Sequence, residues 1–133
     1  MAQTSHPIQV AVAGASGRMG HMLIEAVLND PACRLSGALD VPGAPVLGQD
    51  AGAFLGRQTD VKVTSELDAG LKAAQCLIDF TRPEGTMAHL RACRERGVAV
   101  GWTPGVNRYA VAEQAVACII GLNRNLFAAL GKL

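Results

Sequence analysis

Residues 8–20 read Ile-Gln-Val-Ala-Val-Ala-Gly-Ala-Ser-Gly-Arg-Met-Gly. A short apolar run is followed by three glycines, each three residues after the last. The β-branched residues at the start of this stretch predict a strand over Ile8–Ala13. Apolar residues spaced three and four apart from residue 19 to residue 27 predict a helix after it. The glycines therefore lie in a turn between a strand and a helix. Missing side chains let such a turn approach a pyrophosphate closely, and the start of the helix offers N–H groups to it.

The rest of the chain repeats this alternation of strand and helix. The first helix should end near Pro31, and a second strand over 34–39 ends just before Asp40. A loop rich in glycine and proline follows over 42–60, with a short helical turn near 51–55. Three further strands are predicted over 61–63, 76–80 and 98–102, and three further helices begin at Ser65 as N-cap, at Pro83 and near Arg108, the last ending near Leu130.

This alternation predicts an α/β fold, with a doubly wound parallel sheet of about five strands in three αβα layers. Hydrophobic residues make up 50% of the chain and charged residues 17%, which fits a single domain over residues 1–133 and excludes disorder. On the helix that begins at Pro83, the spacing predicts Met87, Leu90 and Cys93 on one apolar face.

Charge and composition argue against several function classes. The net charge of +1 gives no strong field, so we expect neither a nucleic-acid partner nor a polybasic membrane anchor. No apolar run reaches the roughly 18 residues of a membrane span, and residues 1–7 lack a secretory pattern, so we expect a cytoplasmic protein. The four cysteines lie far apart without Cys-x-x-Cys, which predicts no metal site.

Asp40 lies about twenty residues after the glycine turn, where an acidic residue can accept hydrogen bonds from the ribose 2′-hydroxyl of NAD. The neighbouring Val41 offers no cation for a 2′-phosphate, which favours NAD over NADP. Arg18 or Arg57 could reach that phosphate instead, and Asp40 could also be an ordinary loop carboxylate.

Residues 79–86 read Asp-Phe-Thr-Arg-Pro-Glu-Gly-Thr and join the fourth predicted strand to its helix. This junction lies at the carboxyl edge of the sheet, where open α/β folds bind ligands. The same residues could instead serve only as a helix start, with Thr81 or Glu84 in capping positions. Physical reasoning leaves both interpretations open.

Three motifs resemble the N-terminal domain of the 4-hydroxy-tetrahydrodipicolinate (dihydrodipicolinate) reductase family: Val10–Gly20, Leu47-Gly-Gln-Asp-Ala-Gly52 and Ile78-Asp-Phe-Thr-Arg-Pro-Glu-Gly-Thr86. The resemblance covers about residues 8–100 and implies a Rossmann-like domain that binds NADH or NADPH for an enzyme of lysine and diaminopimelate synthesis. The implied cofactor contacts are Gly14, Ala15, Ser16, Gly17, Arg18 and Met19 on the pyrophosphate, Asp40 on the adenosine ribose, and Phe80, Thr81 and Arg82 along the pocket.

The chain departs from that family after the fifth strand. Where the family has Gly-Thr-Thr-Gly at the nicotinamide end, the chain reads Gly101-Trp-Thr-Pro-Gly105, so that Gly101 and Thr103 are the matching contacts. The family's second domain, with its His-His catalytic segment, has no counterpart in these residues. We therefore expect no catalytic residue here and no turnover by this chain alone. His6, His21 and His89 are expected at solvated surface positions.

The segment from Gly97 onward, with its Thr-Pro-Gly turn and apolar helix, is similar to D-isomer-specific 2-hydroxyacid dehydrogenases. That similarity predicts a chimera, with 8–97 of reductase type and 98–133 of dehydrogenase type. A chimeric scaffold that folds without binding a ligand is the alternative function. The apolar helix over 108–130 also suggests a homodimer surface.

Overall fold

Five parallel strands form one sheet in the computed structural model, which describes residues 6–101 and residue 116. The strands are β1 (Ile8–Ala13), β2 (Cys33–Leu39), β3 (Val63–Thr64), β4 (Cys76–Asp79) and β5 (Ala99–Gly101), in the order β3-β2-β1-β4-β5. The helices are α1 (Arg18–Asn29), α2 (Leu67–Leu71) and α3 (Pro83–Arg96), and a 3₁₀ turn lies at Ala53–Leu55. This arrangement confirms the Rossmann-like, doubly wound parallel sheet.

The core lies in two layers on opposite faces of this sheet, because alternate side chains of β1 point to opposite sides. Val10 and Val12 join the buried cluster under α1, together with Ile24 of that helix. Ala11 and Ala13 join the second cluster. There α2 and α3 contribute Leu71, Ala92 and Cys93. The two clusters confirm the three αβα layers.

The strand register determines which loops meet. Ala13 at the end of β1 pairs with Leu39 at the end of β2 on one side and with Asp79 at the end of β4 on the other. Three carboxyl ends therefore lie side by side at the centre of the sheet edge. The strand order reverses at this point, which is where open α/β sheets bind ligands.

Two local predictions are wrong. Ser65 does not cap α2, because the helix begins one residue later with Glu66 at the N-cap position and no side-chain cap. Of the three residues predicted on the apolar face of α3, Cys93 is buried as predicted, but Met87 and Leu90 are 52% and 41% exposed. The second buried residue of this helix is Ala92. The start of α3 at Pro83 is confirmed.

Several predictions lie outside the described residues: the end of the fifth strand at Trp102, Thr103, the helix over 108–130 and the homodimer surface on it. Within residues 6–101 and 116, no helix has the length and apolar character needed to cross a bilayer. The same part of the chain holds no group of three or more His, Cys, Asp or Glu residues placed to bind a metal ion.

Candidate functional site

The glycine turn, Gly14–Gly17, joins β1 to α1 and is held to the end of β2. Gly14 has a φ of 79°, in the left-handed region that favours glycine. The backbone N–H groups of Gly14 and Ala15 both donate to the carbonyl oxygen of Leu39, at 2.9 and 3.0 Å. The strand end therefore fixes the path of the turn.

The other two glycines of the motif allow close approach. A Cβ on Gly20 would overlap the carbonyl oxygen of Gly14, so only glycine lets the first turn of α1 pack this close to the end of β1. Gly17 is the N-cap residue of α1, and no side chain caps the helix. A Cβ on Gly17 would have one near neighbour, the carbonyl oxygen of Gly14 at 3.3 Å. The uncapped N–H groups of the first turn can therefore donate to an anionic oxygen.

Asp40 follows β2 and binds the glycine turn directly. One of its carboxylate oxygens accepts the backbone N–H of Ser16 at 2.7 Å, and the other accepts that of Val41 at 2.8 Å. Each oxygen keeps lone-pair capacity for a further donor such as a ribose hydroxyl. Asp40 thus has a structural contact that the sequence did not suggest, and it remains able to take the predicted one.

The β4 loop, Phe80–Arg82, is organised around a buried carboxylate at the end of β4. Asp79 is fully buried. It accepts hydrogen bonds from the backbone N–H and the hydroxyl of Thr81, at 2.8 and 2.7 Å, and from Nδ1 of His89 at 2.9 Å. Burial raises the pKa of Asp79, but the hydrogen bonds from Thr81 and His89 outweigh it and lower that pKa below its ordinary value.

His89 was missed as a site residue and was wrongly expected at a solvated position. Its side chain is only 13% exposed because it packs against Asp79, ten residues earlier in the chain. His21 is also half-buried and stacks on Phe54, with ring centres 3.9 Å apart. His6 is exposed, as predicted. The spacing in the sequence was the available signal, because His89 lies one helical turn after Gly85 in the helix that follows Asp79.

One cavity of about 760 Å³ joins these parts of the sheet edge. The predicted site residues that line it are Gly14, Asp40, Phe80, Thr81 and Arg82, and His89 lines it as well. Phe80 is 41% exposed and Arg82 is exposed. The geometry fits a dinucleotide, because the start of the glycine turn at Gly14, the carboxylate of Asp40 and the exposed ring of Phe80 surround one opening.

The other predicted contacts in the described residues do not line this cavity. Ala15 and Ser16 line a smaller cavity of about 290 Å³ on the side of Phe54. Arg18 and Met19 are exposed at the start of α1, and Gly101 is half-buried at the end of β5. Thr103 lies outside the described residues.

Arg57 does not lie near the glycine turn. Its guanidinium donates to the side chain of Asn29 at 2.9 Å, at the far end of α1. It lines a separate cavity with Cys33, the first residue of β2, at the amino edge of the sheet. Of the two cations that the sequence offers for a 2′-phosphate, Arg18 lies beside the glycine turn and Arg57 does not.

A sequence profile of the family described as dihydrodipicolinate reductase, N-terminus, matches residues 8–118. The chain belongs to this family. It is 50% identical over 125 residues to 4-hydroxy-tetrahydrodipicolinate reductase of Cupriavidus metallidurans, a match that covers 90% of this chain and 47% of the relative. It is 66% identical over 91 residues to the reductase of Cupriavidus taiwanensis, covering 68% of this chain and 34% of the relative.

The chain thus spans between a third and a half of the length of these relatives. Its fold matches a solved structure described as dipicolinate-bound dihydrodipicolinate reductase from Paenisporosarcina sp. TG-14. The TM-score is 0.56 at 23% sequence identity, over 74% of this chain and 38% of the other. That likeness supports the fold.

None of these comparisons supports a segment from 2-hydroxyacid dehydrogenases or a chimera. The profile match continues to residue 118, past residue 97, at which the sequence predicted a change of family. A strand, a turn and an apolar helix occur in many α/β domains, so that pattern does not distinguish one family from another.

Proposed function

We propose that the chain binds NADH or NADPH and forms the cofactor-binding part of a reductase acting on 4-hydroxy-tetrahydrodipicolinate, in lysine and diaminopimelate synthesis. The observation that carries the proposal is the single cavity of about 760 Å³ shared by the glycine turn, Asp40 and the β4 loop. Family membership supports the same substrate class.

Each part of the site has a distinct role in this proposal. The first-turn amides of α1, which no side chain caps, bind the pyrophosphate. Asp40 accepts hydrogen bonds from the adenosine ribose while it holds the turn through Ser16. NADH is favoured because Val41, beside this carboxylate, carries no charge for a 2′-phosphate.

When bound, the cofactor supplies a hydride to the substrate. The residues of this chain bind and orient it, and Phe80 and Arg82 line the cavity that receives it. Among residues 6–101 and 116, none is assigned as an acid that protonates a product, and the chain spans less than half of the relatives that it matches. We therefore propose that these 133 residues bind the cofactor without reducing the substrate by themselves.

Calorimetric titration with NADH and NADPH tests the binding proposal. We expect saturable binding of both, with NADH tighter, and loss of binding in Gly17→Val, since a branched side chain would cover the uncapped amides. Circular dichroism checks that the variant is folded. Absence of binding by the folded parent chain would overturn the proposal.

A separate assay tests catalytic incompleteness. The chain is mixed with 4-hydroxy-tetrahydrodipicolinate and NADH, and oxidation of NADH is followed by its absorbance. We expect no oxidation above the rate without protein. Turnover that scales with protein concentration would contradict the proposal of incompleteness while leaving that of cofactor binding intact.

A further inference from the structure

Asp79 stands out among residues 6–101 and 116 as the one charged side chain that is fully buried. A buried carboxylate is costly unless hydrogen bonds satisfy it. Here three hydrogen bonds do so, two from Thr81 and one from His89. The proposed function assigns no direct role to this carboxylate, so its place at the end of β4 needs another explanation.

Thr81 connects this carboxylate to the glycine turn. Its methyl carbon lies 3.3 Å from the point that a Cβ on Gly14 would occupy. On the other side, its hydroxyl lies 3.0 Å from the corresponding point on Gly85, in the first turn of α3. The residue is therefore wedged between two glycines, and its rotamer is set by the hydrogen bond to Asp79.

His89 closes the cluster from α3. Because a carboxylate only accepts hydrogen bonds, Nδ1 of His89 carries the hydrogen that Asp79 receives. The imidazole also lines the cavity of the proposed cofactor site. One side chain thus joins helix α3, the buried carboxylate and the wall of the cavity.

We infer that Asp79 and His89 are positioning residues: together they hold Thr81, and with it the β4 loop, against the glycine turn in the geometry that binds the dinucleotide. This inference rests on the proposed function. The pair acts through Thr81, and Phe80 and Arg82 on either side of Thr81 make the contacts with the ligand.

The variants His89→Leu and His89→Asn separate positioning from simple stability. Leucine removes the hydrogen bond to Asp79, whereas the amide N–H of asparagine can replace Nδ1–H. We expect NADH to bind about tenfold more weakly to His89→Leu, the loss typical of one charge-assisted hydrogen bond. Affinity should return to within about threefold of the parent chain in His89→Asn.

Cys93→Ala is the matched control, because Cys93 is buried one helical turn further along α3 and does not line the cavity. Thermal unfolding is recorded for every variant. We expect Cys93→Ala to lower the melting temperature and leave the NADH affinity unchanged. Equal loss of affinity in Cys93→Ala and His89→Leu, or unchanged affinity in His89→Leu, would overturn the inference.

Hydrogen exchange of the Thr81 amide, which donates to Asp79, gives a readout that needs no cofactor. We expect its protection to fall at least about tenfold in His89→Leu relative to Cys93→Ala. Equal protection in the two variants would overturn the positioning role even if the parent chain binds NADH. If the parent binds no dinucleotide, the proposed function fails, and this exchange measurement still decides whether the pair orders the loop.

Discussion

The glycine turn and the β4 loop begin at neighbouring points of one sheet edge, but they are built in different ways. Each has an aspartate that accepts a backbone N–H from the loop: Asp40 from Ser16 at 2.7 Å and Asp79 from Thr81 at 2.8 Å. Asp40 is half-buried and supports a turn made by missing side chains. Asp79 is fully buried and organises a loop made by side-chain hydrogen bonds. The glycine turn, Gly14–Gly17, is therefore the backbone-built wall of this edge. The β4 loop, Phe80–Arg82, is its side-chain-built wall.

We expect the greatest loss of stability when the buried carboxylate of Asp79 is removed. Asp79→Ala should lower the free energy of unfolding by about 3 kcal/mol, because three donors lose their acceptor inside the protein. Asp40→Ala should cost only about 1 kcal/mol, since water can reach its partners. Urea denaturation of both variants measures the difference. Equal losses would show that the two aspartates do not differ in the way that their burial indicates.

The next effect concerns the glycine turn. Gly20→Ala should lower stability by about 2 kcal/mol, because its Cβ would overlap the carbonyl oxygen of Gly14 and α1 must move. Gly17→Ala is the control and should cost less than about 1 kcal/mol, since its Cβ would make a tight but tolerable contact at 3.3 Å. The same denaturation experiment applies. A Gly20→Ala variant as stable as Gly17→Ala would contradict the close packing of α1 on the turn.

A third prediction concerns cofactor preference at Asp40. Asp40→Ala should weaken NADH about tenfold, the effect of losing a charge-assisted hydrogen bond to the ribose. NADPH should lose less, because its 2′-phosphate is repelled by the carboxylate that the substitution removes. Paired calorimetric titrations give the two ratios. If NADH and NADPH weaken by the same factor, Asp40 supports the turn without reading the ribose.

The smallest effect is the pH dependence of stability. Burial raises the pKa of Asp79, yet its hydrogen bonds hold the pKa below the ordinary value, so the ionised carboxylate stabilises the folded state. This contribution is complete above about pH 4 and is lost as the pH falls through the lowered pKa. Unfolding free energies between pH 6 and pH 2 should therefore fall less steeply in Asp79→Asn than in the parent chain.

Some slope should remain in Asp79→Asn because Asp50 behaves in the same way. Burial raises the pKa of Asp50, but hydrogen bonds from the backbone of Gly52, Thr59 and Asp60 and from the Thr59 hydroxyl lower it below its ordinary value. A double variant, Asp79→Asn with Asp50→Asn, should flatten the profile further. An Asp79→Asn profile that parallels that of the parent would contradict the assignment to Asp79.

The sequence predicted the backbone-built wall far better than the side-chain-built wall. The glycine spacing fixed the turn because each glycine meets a local demand: a left-handed φ at Gly14 or a close approach at Gly20. The alternation of strands and helices likewise gave the correct sheet. These signals are local, and they are present in any short window of the chain.

The contacts of Asp79 and His89 could not be predicted from a short window of the sequence. Their hydrogen bond depends on where the fourth strand ends and on how α3 is rotated about its axis. The apolar spacing correctly placed Cys93 inward, but it also placed Met87 and Leu90 there and missed Ala92. The predicted N-cap at Ser65 is wrong for a similar reason, because α2 begins at Leu67 with Glu66 at the N-cap position. Helix rotation and helix ends depend on packing against the sheet, which a spacing pattern only approximates.

We expect the glycine turn and the β4 loop to bind the same dinucleotide molecule. Titration of the isotope-labelled chain with NADH, followed by amide proton and nitrogen chemical shifts, tests this expectation. The amides of Arg18 and Met19 and those of Thr81 and Arg82 should shift along one saturation curve, while that of Arg57 should not move. Shifts confined to one wall, or centred on the smaller cavity beside Phe54, would contradict it.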